Sequence, residues 1–276
     1  MPWIVRFEDI DLPRVLVGAR DLQLSDLAIL GLMPDIWSEQ SMRRPRHLEL
    51  FHLARLAGAI YPCTCSRRDV QSVLADIASA SHEGVAPVYS GHCRHQSSDA
   101  SRAEIAWRFK MPREDGRDDF IIARTSSLPV LNLARLAPLA SLASLADASF
   151  TPAYHWACAI DDFDGAYDLI VRSSDLAAAL PLQRAVQAWI ASAQDVAAPL
   201  IRTFHTSLVT HEDGHRLEKR SCGVTLPELF EAGWTPDKIL QMFDKTFDRA
   251  LLASSAFNAF GIGAESRERI VLPLSI

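Results

Sequence analysis

The chain has 276 residues, 49% of them hydrophobic, a formal charge of −6 and an isoelectric point near 5.8. That length and apolar content exclude an intrinsically disordered protein and suffice to bury one large core or two modest ones. The negative balance excludes a uniformly basic nucleic-acid coat, because phosphate binding draws on Lys and Arg, so any RNA contact must be local.

Trp3 to Phe7 (WIVRF) is a β-branched and aromatic run that predicts a strand, followed by the acidic turn Glu8-Asp9-Ile10-Asp11 and Pro13. A helix is expected around Val15 to Leu30. Leu48, Phe51, Leu53 and Leu56 recur at helical spacing and Gly58 supplies a stop, which predicts a second helix from Pro45 to Ala59. Ser66 stands as an N-cap before Arg67, Arg68 and Asp69, and Ser79 to Ser101 reads as loop. Strands are expected at Ile105 to Phe109 and Phe120 to Ala123.

Leu128 to Phe150 is the most apolar stretch, yet Arg135, Pro138 and Asp147 make it too polar for a membrane span, so an amphipathic or buried helix is expected. Its echo from Leu139 to Ala146 is low complexity. Beyond it, Tyr154 to Ile160 predicts a helix, Tyr167 to Arg172 a strand and Asp175 to Ala191 a long helix. The alternation predicts a parallel sheet flanked by helices.

Five cysteines, Cys63, Cys65, Cys93, Cys158 and Cys222, are an odd number, and the first three lie close together, which suits a metal site in a reducing compartment better than a disulfide framework. Cys63-x-Cys65 followed by Tyr89-x-x-x-Cys93 brings three thiolates and one phenol within reach of a single ion. Thiolates at tetrahedral spacing select zinc, and a closed four-ligand site is structural. A phenol ordinarily ionises near pH ~10, but a divalent cation lowers the pKa of whatever it binds. Spacing alone leaves open a second reading, two free cysteines in a turn with an unrelated third. Arg6, Glu8, Asp9, Asp11, Arg14 and Arg20 break up the opening residues too much for a signal peptide, so a cytoplasmic protein is expected.

At these residues the sequence resembles a known family. Cys63-x-Cys65 with Tyr89-Ser90-Gly91-His92-Cys93-Arg94 is similar to the zinc module of glutamyl-queuosine tRNA(Asp) synthetases, short paralogues of glutamyl-tRNA synthetase. Arg6-Phe7-Glu8-Asp9-Ile10-Asp11 resembles the family's Arg-Ile-Glu-Asp-x-Asp, and Gln40-Ser41-x-Arg43 its Gln-Ser-x-Arg. Tyr154, Asp161-Asp162, Val171-Arg172-x-x-Asp175-Leu176 and Pro181-x-Gln183 follow in the family's order. Gly214-His215-Arg216-Leu217-Glu218-Lys219-Arg220 sits where the second class I signature, of the Lys-Met-Ser-Lys-Ser type, belongs.

The resemblance implies an α/β fold: a class I Rossmann-type parallel sheet in two parts, residues 1–62 and 150–210. A zinc-bearing α+β insertion would span 63–149, including the Leu/Ala-rich segment, and the signature loop with a small helical region 211–276. It further implies glutamate bound by Glu8, Tyr154 and Arg172, ATP with Mg2+ bound by Lys219 in the loop Arg216 to Arg220, and one structural zinc on Cys63, Cys65, Tyr89 and Cys93. The implied reaction is tRNA-independent activation of glutamate and its transfer to queuosine of tRNA(Asp). Separate, distant residues must then converge on one cleft.

There are departures. The family's His-Ile-Gly-His-like motif lies well upstream of Arg-x-Glu-Asp, whereas here five residues precede Arg6. Two explanations follow: a start assigned too far downstream, or a truncated, non-catalytic zinc-binding paralogue serving as a tRNA or protein binding module. The exposed strand edge left by a true truncation favours the first. Ser173 replaces a Gly, which strains the chain if positive φ is needed there, and Glu218 sets a negative charge in the loop facing phosphates.

Overall fold

The computed structural model describes residues 2–65, 89, 91–95, 104–112, 118–126, 150–206, 208–210, 224–246, 264–265 and 270–271. Ile4–Phe7 forms β1 and Ile36–Glu39 forms β2, paired in parallel with Ile4 opposite Ile36 and Phe7 opposite Glu39. Between them lie a 3-10 turn, Leu12–Arg14, and helix α1, Ala19–Ile29. The helix starts later than expected because Gly18, in the left-handed region at φ 82°, falls within its anticipated first turn and serves as its N-cap.

A 3-10 turn at Gln40–Arg43 leads into α2, Arg44–Leu56, with Pro45 in the first turn where a missing N–H costs nothing. Gly58 stops it as the sequence indicated. At φ 66° its N–H reaches the Arg55 carbonyl at 3.1 Å while the Ala59 N–H reaches Ala54 at 2.9 Å, the paired closure of a Schellman end.

The chain next builds an antiparallel sheet in sequential order: β3, Ile60–Cys63; β4, Ile105–Phe109; β5, Phe120–Thr125; and β6, Phe150–Pro152. The strand-helix alternation had suggested a parallel sheet flanked by helices. Here it gives way to antiparallel pairing, whose strands need no helical crossover. All of β4 is buried, so it lacks the alternation of a one-faced strand.

Helix α3, Tyr154–Gly165, precedes β7, Leu169–Ser173. At Gly165, where α3 ends, a Cβ would lie 2.4 Å from Cζ of the Tyr167 ring, so any larger residue would displace that ring. The predicted helix from Asp175 divides into a 3-10 segment, Ser174–Ala179, and α4, Leu180–Gln194. Pro181 explains the break: it lacks the N–H needed to continue an upstream helix but fits the first turn of a new one. Ser173 lies at φ −68°, ψ 149°, ordinary extended backbone, so the strain anticipated for a replaced Gly is not present.

Strand β8, Arg202–Thr206, pairs in parallel with β7 and with β10, Ala264–Glu265. Strand β9, Val209–Thr210, pairs in parallel with β11, Ile270–Val271. Two helices, α5 at Leu226–Glu231 with a Thr225–Glu228 capping box and α6 at Pro236–Thr246, lie between β9 and β10 in sequence. The N-cap at Ser66, the signature loop Arg216 to Arg220 and all but the last residue of the helix expected across Leu128 to Phe150 fall outside the described residues, and that last residue, Phe150, opens strand β6 instead. Among the described residues no helix is long and apolar enough to cross a membrane.

The main core lies between the antiparallel sheet and helices α2, α3 and α4. Phe51 packs edge-on against Trp107 at 5.1 Å and lies 5.2 Å from Phe150. Trp156 is fully buried and donates its indole N–H to the His47 carbonyl at 3.0 Å. Every residue of α3 from Trp156 to Phe163 is buried, so this helix has neighbours on all sides.

Candidate functional site

Glu8 follows β1, Tyr154 opens α3 and Arg172 lies near the end of β7. These three elements bring three side chains, distant in sequence, to one cleft of about 620 Å³, which Arg6, Asp162 and Tyr167 also line. Tyr154, Cys158 and Asp162 recur every four residues and therefore share a face of α3. Trp156, Ile160 and Phe163, on its other side, belong to the core.

Asp162 is the hub. Its Oδ1 accepts from Arg6 Nη1 at 2.7 Å and its Oδ2 from Arg172 Nη2 at 2.7 Å. Arg172 Nη1 donates to Gln183 Oε1 at 2.7 Å and reaches the Tyr154 hydroxyl at 3.5 Å. Glu8 Oε1 accepts from the Cys158 thiol at 3.2 Å and from Arg6 Nη2 at 3.4 Å. Two guanidiniums thus balance two carboxylates. The Asp162 side chain is 3% exposed and the Glu8 side chain 39%, so Glu8 presents its charge to an incoming molecule.

Local electrostatics settle which groups stay neutral. Burial, reinforced by Glu8, pushes the Cys158 thiol well up, so it remains a protonated donor. Burial likewise raises the Tyr154 phenol, with Arg172 only partly opposing it. Burial would lower Arg6, but Asp162 and its other anionic neighbours more than offset this and hold it charged. The result is a cleft with an exposed carboxylate, a neutral phenol and a forked cation, which suits a zwitterion.

Asp161, one residue earlier, serves a different network. Its carboxylate accepts from Gln40 Nε2 at 2.8 Å and from Arg43 Nε at 3.1 Å, and His47 Nε2 lies 2.8 Å away. Gln40 Nε2 also stands 3.6 Å from the Cys158 sulfur, so this network meets the cleft there.

A second cluster closes the edge of the antiparallel sheet. The sulfurs of Cys63, Cys65 and Cys93 all lie within 4.8 Å of one another, and none is in a disulfide. The Tyr89 hydroxyl is 3.5 Å from the Cys63 sulfur and accepts the Cys93 N–H at 3.0 Å. Zinc bonded to sulfur at about 2.3 Å in a tetrahedron sets its sulfurs about 3.8 Å apart, so the donor set fits. Arg108 covers the cluster, its guanidinium 3.5 Å from the Tyr89 ring centroid, with Nε donating to the Cys63 sulfur at 3.2 Å. Burial pushes Cys65 up to about 12. For Cys93 the opposing burial is outweighed by hydrogen bonds from the Thr64 backbone and from Cys65, Tyr89 and Cys63, leaving its thiol below the ordinary range.

The structure therefore brings together Glu8, Tyr154 and Arg172, and separately Cys63, Cys65, Tyr89 and Cys93. Arg216, Leu217, Glu218, Lys219 and Arg220 lie outside the described residues. Sequence reasoning quoted Arg6, Asp162 and Gln183 within motifs but gave them no role. No signal in the sequence marks their roles, because the packing of α3 against the two arginine-bearing strands exists only in the fold.

A model of the family "tRNA synthetases class I (E and Q), catalytic domain" matches residues 2–247. The chain belongs to that family. This class I chain is 33% identical over 264 residues to a curated Glutamyl-Q tRNA(Asp) synthetase of Nocardia farcinica, covering 87% of itself and 72% of the relative. With the protein of the same name in Deinococcus radiodurans it shares 33% over 256 residues, covering 86% and 75%.

Among solved structures it matches a glutamate tRNA ligase of Elizabethkingia meningosepticum, in complex with its amino acid, at a TM-score of 0.52 and 17% identity. A glutamate-tRNA synthetase of Elizabethkingia anophelis gives 0.53 and 19%. This chain spans 47% and 46% of those two chains, and the likeness establishes the class I catalytic fold.

Proposed function

We propose that the protein is an ATP-dependent ligase that activates glutamate without tRNA and transfers it to queuosine of tRNA(Asp). The carrying observation is the meeting of Glu8, Tyr154 and Arg172 in one cleft of a chain one-third identical to curated Glutamyl-Q tRNA(Asp) synthetases. Glu8 takes the ammonium, while Tyr154 and Arg172 fix the carboxylate end through phenol and forked guanidinium. To Lys219, in the loop Arg216 to Arg220, the resemblance to the second class I signature assigns the ATP phosphates with their Mg2+.

In activation a glutamate carboxylate oxygen bonds to the α-phosphorus of ATP and pyrophosphate leaves. The acyl group then passes to queuosine and AMP leaves. Charge grows on phosphate oxygens, so positioning and cationic stabilisation carry the catalysis. Cys63, Cys65, Tyr89 and Cys93 would hold one structural zinc, which would offset most of the thiolate charge and hold the sheet edge in shape. These substrates place the protein in the cytoplasm.

The test uses the full chain in ATP–pyrophosphate exchange with glutamate, glutamine or aspartate. Labelled glutamate is then offered with tRNA(Asp) carrying or lacking queuosine. Exchange with glutamate alone and labelling only of queuosine-bearing tRNA are expected. Exchange without transfer to either tRNA would refute the queuosine acceptor, and no exchange with any amino acid would refute the whole reading.

A further inference from the structure

We infer that Asp162 and Gln183 are positioning residues that grip the Arg172 guanidinium from two sides and fix its direction toward the substrate. The inference rests on the glutamate reading above and adds what makes it selective. Arg172 Nη2 is held by Asp162 Oδ2 at 2.7 Å and Nη1 by Gln183 Oε1 at 2.7 Å. The residues gripping it are nearly closed to solvent, Asp162 at 2% and Gln183 at 1%.

They also come from separate rigid elements, α3 and α4, while Arg172 comes from β7. A long side chain with many rotamers is thereby reduced to one plane, and a planar fork held in one plane binds a carboxylate bidentately at low entropic cost. Asp162 is shared. Its other oxygen holds Arg6 at 2.7 Å, and Arg6 in turn touches Glu8, so a single carboxylate sets the spacing between the group offered to the ammonium and the group offered to the carboxylate. The arrangement acts as a ruler for the substrate's two ends.

Asparagine at position 162 keeps the shape but offers one acceptor oxygen and an NH2 group that opposes the second guanidinium. Gln183→Leu removes the other grip without uncovering a charge. The first measurement is nitrogen-15 NMR of the arginine side chains in the full chain. Slowed rotation of the Arg172 guanidinium is expected in the parent, with averaged Nη signals in Asp162→Asn and Gln183→Leu. Free rotation in the parent would overturn the grip whatever the enzyme does.

The second measurement is the exchange reaction. Each variant should raise the glutamate KM at least tenfold with the ATP KM within about twofold, and Asp162→Glu should recover part of the loss. A purely structural role would instead lower the active fraction and the melting temperature and leave the glutamate KM alone. Folded variants with freed guanidiniums and an unchanged glutamate KM would sink the positioning role. A gripped Arg172 in a parent that exchanges no glutamate would overturn the function and leave the grip standing.

Discussion

Asp161 and Asp162 are neighbours on α3 yet hold different partners, in two networks that meet at Cys158. Asp161 gathers Gln40, Arg43 and His47 from the segment entering α2, and Asp162 gathers Arg6 and Arg172 from β1 and β7. A helix turns about 100° per residue, so adjacent carboxylates can answer to different partners. One secures the scaffold and the other the cleft, and their substitutions should fail differently.

Loss of the Asp161 carboxylate should be felt as stability. Asp161→Ala leaves three donors around a buried hole and should cost about 3–5 kcal/mol by urea unfolding. Burial pushes this carboxyl up, but hydrogen bonds from His47 and Gln40 and the charge of Arg6 outweigh it and hold it below the usual 3.8. With the folded value depressed, the contribution is present above about 3.8 and fades as pH falls through the folded value. Asp161→Asn should lack that acid limb, and an unchanged acid profile would contradict the assignment.

Two other groups give a slope nearer neutrality. His52 and His155 are each held below the usual 6.5 by burial, with Arg55 adding to the effect at His52. Each also has a buried Nδ1 without a hydrogen-bond partner. The unfolded chain therefore binds protons that the folded chain refuses, so stability is full above about 6.5 and declines as pH falls below it. His52→Phe combined with His155→Phe should flatten unfolding free energy measured between pH about 5 and 7. A parental slope retained in the double variant would be the contrary result.

At the cleft, Arg172→Lys keeps the charge and loses the fork. It should reduce kcat/KM for glutamate by about 10–100-fold, the discrimination typical of bidentate recognition, with little change in melting temperature. Glu8→Gln should weaken glutamate to a similar degree without unfolding the chain, because its side chain is 39% exposed. Normal glutamate kinetics in either variant would argue that the amino acid binds elsewhere.

For the metal cluster, zinc content and affinity are the measurements. Cys93→Ser should abolish stoichiometric zinc, and Tyr89→Phe should lower occupancy if the phenol is a ligand. Arg108→Met removes the cation over Tyr89 and beside Cys63, and should weaken zinc about 10–100-fold, as loss of outer support does at other metal sites. Full zinc retention in Cys93→Ser would dispose of the four-residue site.

Strands with largely apolar, aromatic or β-branched runs were legible, and Ile105–Phe109 has the bounds its composition suggested. Tyr154 to Ile160 lies inside α3, and Gly58 ends α2 as read. By contrast Arg202–Thr206 is a central strand with buried Thr203 and His205, so its polarity hid it. Ile36–Glu39 is short and largely exposed, and it is held by pairing with Ile4–Phe7 across an intervening helix. Glu8, Tyr154 and Arg172, which line one cleft, were singled out through motif resemblance. Asp162 and Gln183 gained meaning only through distances, because nothing local distinguishes an acid that holds two arginines from one at the surface.

Helix α3 is both a pillar of the interior and a wall of the cleft, with Trp156 and Ile160 on one side and Cys158 and Asp162 on the other. The recognition surface has no independent frame. Selection for a well-formed interior and selection for the right substrate therefore act on the same dozen residues, and drift in either trait carries the other along.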